Sequence, residues 1–122
     1  MKFYYCKHCG NIIAYVEPSG VDVVCCGEKM EELVPNTKDG AREKHIPVYE
    51  VVNNKVIVKV GEVEHPMIDA HYIGCVAIET NLGNQRKMLK PGQKPVVEFA
   101  LLEGEKVVAV YAYCNLHGLY KG

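Results

Sequence analysis

The chain has 122 residues, of which 48% are hydrophobic and 24% charged. That is the make-up of one folded domain with room for a small appendage, and it excludes a disordered chain. A formal net charge of −1 excludes a general attraction to nucleic acid or to an anionic membrane, so an anionic ligand must be drawn by a local cationic feature.

In chain order, the start Met1-Lys2-Phe3-Tyr4-Tyr5-Cys6 lacks the apolar stretch of a signal peptide. The longest apolar run, Val107 to Cys114, is far shorter than the ~20 residues of a membrane helix. The expected location is the cytoplasm. In that reducing compartment six cysteines are expected as metal ligands or reactive groups rather than as disulfides.

Residues 1–36 hold four of those cysteines and little apolar mass, so this piece is expected to need a metal or disulfides to keep a fold. Cys6-Lys7-His8-Cys9 is a CxxC knuckle followed by Gly10, and Cys25-Cys26 is followed by Gly27. Four thiolates from two tight turns suit a tetrahedral site for zinc or for a single iron, and spacing alone leaves the two metals open. The adjacent pair Cys25-Cys26 implies a distorted tetrahedron. His8 is expected to be a solvent-facing spacer, since four thiolates already close the site.

The turn-rich stretch Pro35-Asn36-Thr37-Lys38-Asp39-Gly40 divides the chain, and from residue 37 to 122 the pattern is β. Val48 to Val52 and Lys55 to Val60 flank Asn53-Asn54, the signature of a hairpin with a tight asparagine turn. Strands are expected over 72–80, 95–102 and 106–113, with turns at Leu82-Gly83-Asn84 and Glu103-Gly104-Glu105. No stretch carries helical periodicity over ten residues, and no internal repeat is present. Short strands at this spacing predict an antiparallel sandwich.

Four of the five histidines lie in this second part. They occur in Glu43-Lys44-His45-Ile46-Pro47-Val48, Glu64-His65-Pro66-Met67, His71-Tyr72-Ile73 and Cys114-Asn115-Leu116-His117. A lone histidine is usually a surface or core residue, but four at strand ends, with Cys114 three positions before the last, form a constellation. Cys114-x-x-His117 lets one turn present a thiolate and an imidazole together. Five mixed ligands exceed a closed structural zinc site and point to a redox metal with one open position. Glu43 and Lys44 alone would be a solvated charge pair; their place directly before His45 gives them a candidate role at that position.

These motifs resemble the desulfoferrodoxins, the two-iron class of superoxide reductase, along essentially the whole chain. Leu89-Lys90-Pro91-Gly92, Pro95 and Glu98-Phe99 extend the likeness. The resemblance implies an N-terminal desulforedoxin-like domain holding rubredoxin-type iron on Cys6, Cys9, Cys25 and Cys26. It further implies an immunoglobulin-like β-sandwich with a second, catalytic iron. There His45, His65, His71 and His117 would be equatorial and Cys114 axial, Glu43 would cap the oxidised metal, and Lys44 would stand by the open position.

The implied activity is reduction of superoxide to hydrogen peroxide, with rubredoxin or a similar donor returning the electron and a homodimer as the assembly. A non-catalytic two-iron electron carrier is the alternative, and a zinc-stapled binding module is a third reading. One departure stands out: Gly74-Cys75 follows His71-Tyr72-Ile73 where the family often has an aromatic residue. Cys75 is expected to be a small buried side chain.

Overall fold

The computed structural model describes residues 1–122 and divides into two compact units, Met1–Val34 and Pro35–Gly122. In the first unit β1 (Phe3–Tyr5) is the centre of a three-stranded antiparallel sheet, flanked by β2 (Ile12–Ala14) and β5 (Glu31–Leu33). A two-stranded ribbon pairs β3 (Val24–Cys25) with β4 (Glu28–Lys29). The buried apolar side chains of this unit are Phe3, Cys6 and Met30. So small a core does little to offset the entropy of ordering the chain, so a unit of this size calls for a cross-link at its cysteines.

The second unit opens with the one-turn helix α1 (Arg42–His45). There follow β6 (Pro47–Val52), β7 (Lys55–Val60), β8 (Ile73–Thr80), β9 (Gly83–Met88), β10 (Val96–Ala100), β11 (Val107–Cys114) and β12 (Gly118–Lys121). They form a three-stranded sheet, β10-β7-β6, and a four-stranded sheet, β12-β11-β8-β9, with every pairing antiparallel. Between the sheets lies one core. Val56, Val58, Val60, Val97 and Phe99 come from the first sheet; Ile73, Val76, Ile78, Val110, Ala112 and Cys114 come from the second. In β10 the alternation is complete, with Val97 and Phe99 buried between exposed neighbours, as a strand with one wet face requires.

The expected sandwich is present, and its first hairpin turns at Asn53 and Asn54, both with positive φ (48° and 61°). This is the left-handed turn that matches the twist of paired strands. Two strands differ from expectation. The reversal after β8 falls at Asn81-Leu82, so Gly83 and Asn84 already belong to β9, whose register pairs Thr80 with Gly83. β9 is polar (Gly-Asn-Gln-Arg-Lys-Met) and lies at a sheet edge, so it carries none of the apolar alternation that marks a strand. β12 is four residues long and too short for any period to register. Cys75 is half-buried rather than fully buried, and burial holds its thiol above the usual range.

Candidate metal centres

In the N-terminal unit the thiols of Cys6, Cys9, Cys25 and Cys26 lie within 4.8 Å of one another. Cys6 to Cys9 occupy the turn between β1 and β2, which is closed by hydrogen bonds from the Gly10 amide to Cys6 O (2.8 Å) and from the Cys6 amide to Asn11 O (2.9 Å). Positive φ at Gly10 (83°), Cys26 (52°) and Gly27 (75°) bends both turns so that sulfur faces sulfur. The Cys9 and Cys25 sulfurs stand 3.6 Å apart.

Chiefly because it accepts a hydrogen bond from the Cys9 amide, the Cys6 thiol is lowered to about 6. Cys26 is pushed up to about 12 by the crowding thiols, Cys9 foremost. Four sulfurs that cannot all ionise side by side are a site awaiting a cation. His8 stays out of the cluster: it is exposed, with Nε2 2.7 Å from Glu28 Oε2.

The second constellation is assembled at one end of the sandwich. His45 closes α1, His65 and His71 lie in the β7–β8 connection, Cys114 ends β11, and His117 lies in the turn to β12. Neighbouring rings stand nearly perpendicular. Centroids are 4.5 Å apart for His45–His65 (84°), 4.5 Å for His65–His71 (77°), 5.1 Å for His71–His117 (73°) and 4.8 Å for His45–His117 (88°). The diagonal pair His45–His71 is 5.9 Å apart. Four imidazoles therefore circle one point. Ligand atoms of His45, His65, His71 and Cys114 lie within 4.8 Å of one another. His117 joins them through Nδ1, 3.1 Å from His45 Nε2 and 3.7 Å from Cys114 Sγ.

Backbone carbonyls fix the tautomers. His45 Nδ1 donates to Ala41 O (2.7 Å) and His65 Nδ1 donates to Pro66 O (2.6 Å), which turns both bare Nε2 lone pairs inward. Those two Nε2 atoms stand 3.1 Å apart with no proton left to share, and His71 Nε2 is buried without a partner. A cation at the centre satisfies all of them, so the residues fit a metal. Burial holds His45 and His71 below the usual histidine range and His65 down to about 4, which keeps the rings neutral, as ligation requires. The Cys114 thiol is raised by burial, against hydrogen bonds from the His117 and Leu116 amides.

Of the two charged candidates on α1, Lys44 lines a hollow of about 410 Å³ with Glu64, His65, Met67 and Lys94. Its charge bears on His45 and His71. Glu43 lines a different hollow, with Arg42, Ile46, Val48 and Glu62, while its field reaches His45. Sequence reasoning missed the supports: Ala41 O, Pro66 O, and Tyr120, whose ring lies 4.7 Å from His45 and whose hydroxyl donates to Lys38 O (3.0 Å). Only a three-dimensional neighbour could reveal these, since a carbonyl carries no side-chain signature.

Residues 1–33 match the family model for the desulfoferrodoxin N-terminal domain, and residues 37–122 match that for desulfoferrodoxin. The chain belongs to the desulfoferrodoxin family. It is 45% identical over 120 residues to the desulfoferrodoxin of Nitratidesulfovibrio vulgaris, covering 98% of this chain and 94% of the relative. To the desulfoferrodoxin homolog of Archaeoglobus fulgidus it is 43% identical, covering 99% and 95%. Among solved structures it resembles the superoxide reductase from Treponema pallidum, with TM-score 0.83, 39% identity and 98% of each chain covered. A one-iron superoxide reductase from Giardia intestinalis gives TM-score 0.56 and 34% identity over 66% of this chain and 95% of its own. The cysteine cluster lies within the residues matched by the N-terminal model, and the histidine cluster within those matched by the other.

Proposed function

We propose that this protein is a superoxide reductase that converts superoxide, one electron and two protons to hydrogen peroxide. The observation that carries the reading is the ring of four imidazoles with the Cys114 thiol beside it, a five-donor set that exceeds a closed structural zinc site. His45, His65, His71, His117 and Cys114 would hold iron, which would supply the electron to superoxide. The protein's part is preorganisation. Neutral, carbonyl-oriented rings need no reorientation; burial raises the Cys114 thiol while two backbone amides oppose that rise, and a bound metal would hold it as a thiolate, whose charge favours electron donation. Lys44, in the hollow beside His65, supplies the field that draws an anion to a chain of near-zero net charge. Glu43, whose field reaches His45, would be the carboxylate that caps the oxidised metal.

The four-cysteine site is read as a second, rubredoxin-like iron that relays electrons, with rubredoxin or a similar small carrier as donor. A homodimer is supported by β6, an edge strand that leaves Tyr49, Val51 and Val52 exposed, since bare apolar edges are normally covered. A cytoplasmic location fits the gathering of Cys6, Cys9, Cys25, Cys26 and Cys114 into the two candidate metal clusters rather than into disulfides.

Pulse radiolysis of the ferrous-loaded protein tests the reading. The expected result is a reaction approaching the diffusional range of ~10⁸–10⁹ M⁻¹s⁻¹, with hydrogen peroxide and no oxygen as product. Full iron loading with no superoxide consumption would leave an electron carrier.

A further inference from the structure

We propose that Asn115 is a positioning residue that holds His71 in the metal-binding ring. The proposal rests on the metal-centre reading given above. Each of the other histidines has its own restraint. His45 and His65 have their Nδ1 atoms tied to carbonyls. His117 shares a tight turn with Cys114 between paired strands, where Cys114 stands opposite Gly118. His71 has neither device. It lies in the long β7–β8 connection, is only half-buried, and presents an Nε2 without a hydrogen-bond partner. Its backbone is held by a reciprocal pair of hydrogen bonds with Ile68, each 3.0 Å, and Ile68 itself is exposed.

Asn115 supplies what is missing. Its Nδ2 donates to Ala70 O (3.1 Å), and its Oδ1 accepts from the Tyr72 amide (2.8 Å). Its own amide donates to Tyr72 O (3.1 Å). The side chain therefore grips the residue before His71 and the residue after it. Because Asn115 directly follows Cys114, the same three bonds fix the distance between the His71 backbone and the thiolate. No other amino acid of that length has both a donor and an acceptor in this fork. Aspartate keeps the acceptor for Tyr72 and loses the donor for Ala70; alanine loses both.

The test uses the full-length, iron-loaded protein and follows transfer of iron to a chelator at each centre by its own absorption. Asn115→Ala should release iron from the histidine–cysteine centre about 10–100-fold faster, the usual effect of removing an outer-shell support. It should also shift and broaden that centre's thiolate charge-transfer band. The four-cysteine centre, an internal reference in the same chain, should release iron at the native rate. Asn115→Asp should fall between native and alanine on both readouts. If the alanine variant does not fold, the aspartate variant against native makes the same comparison with one bond lost.

Release within twofold of native together with an unmoved band overturns the proposal. So does equal acceleration at both centres, which would mark a general loss of stability. A native chain that takes up iron only at the four-cysteine site overturns the metal-centre reading itself, and this inference with it.

Discussion

His45 and His65 meet nitrogen to nitrogen, their Nε2 atoms 3.1 Å apart, while the single N–H of each neutral ring already donates to a backbone carbonyl. Two lone pairs aimed at each other in a buried place are unfavourable until a cation lies between them. The arrangement therefore stores its ligand geometry in the backbone, where the ring tautomers are set before any metal arrives.

That relationship fixes the pH response of the chelator-stripped protein. His65 goes from an ordinary 6.5 down to about 4 in the fold because burial penalises its charged form. Below about pH 6.5 the unfolded chain binds a proton that the native chain refuses, so stability falls as pH drops. The loss is complete near pH 4, where both states are protonated, and it is absent above pH 7. For this one ring the cost is on the order of 3 kcal/mol; His45 and His71 shift in the same direction. Thermal melts of the stripped protein at pH 7.5, 6 and 4.5 should show a progressive fall in Tm, and a flat series would refute the account.

Cys114 is fully buried, and the amides of Leu116 and His117 point at its sulfur. Cys114→Ser should erase the thiolate charge-transfer band of the histidine–cysteine centre while the absorption of the four-cysteine centre stays. Superoxide reduction should fall by at least about tenfold, as one removed charge at the reacting centre costs more than 1.4 kcal/mol in a dry site. A surviving band would assign the sulfur ligand elsewhere.

Lys44 is exposed on α1 and shares its hollow with His65. Lys44→Ala should slow the superoxide-binding step about tenfold at low salt and flatten its ionic-strength dependence, since steering by an exposed charge is screened by salt. Iron content and absorption should be native. A second-order rate equal to the native rate at every ionic strength would remove Lys44 from the approach of the substrate.

How much of this was legible beforehand follows from where the information sits. The candidate ligands are side chains, and Cys6, Cys9, Cys25, Cys26, His45, His65, His71, Cys114 and His117 stand out because so many metal-binding types recur beside turns. The hairpin at Asn53-Asn54 was equally plain, since two asparagines between two apolar-rich runs favour a left-handed turn, and both residues have positive φ. What escaped was carried by backbone or by polar edges. β9 has no apolar face to announce it, and the carbonyls of Ala41 and Pro66 look like any others. Glu43 and Lys44 are adjacent in sequence, yet they line separate hollows, because neighbouring residues on a helical turn diverge by about 100°.

The connection that follows β7 holds α1 by its backbone. Gly61, just beyond β7, lies so close to the helix that an added Cβ would stand 2.7 Å from Glu43 O and 2.9 Å from Ile46 O. Glu43 O also accepts the Val63 amide at 2.8 Å, so the connection and the helix are joined backbone to backbone and neither has a flexible side chain to move aside. Gly61→Ala must therefore displace α1, and His45 with it. We expect a loss of about 1–3 kcal/mol in the second unit, in line with overpacking elsewhere, and faster iron release from the histidine–cysteine centre. Gly74→Ala is the matched control. Its Cβ would meet Tyr72 and Tyr113 at the ordinary distances of 3.8 and 3.9 Å, so Tm and iron retention should stay native. If the two alanine variants behaved alike, the close approach of Gly61 to α1 would have no part in holding His45 in place.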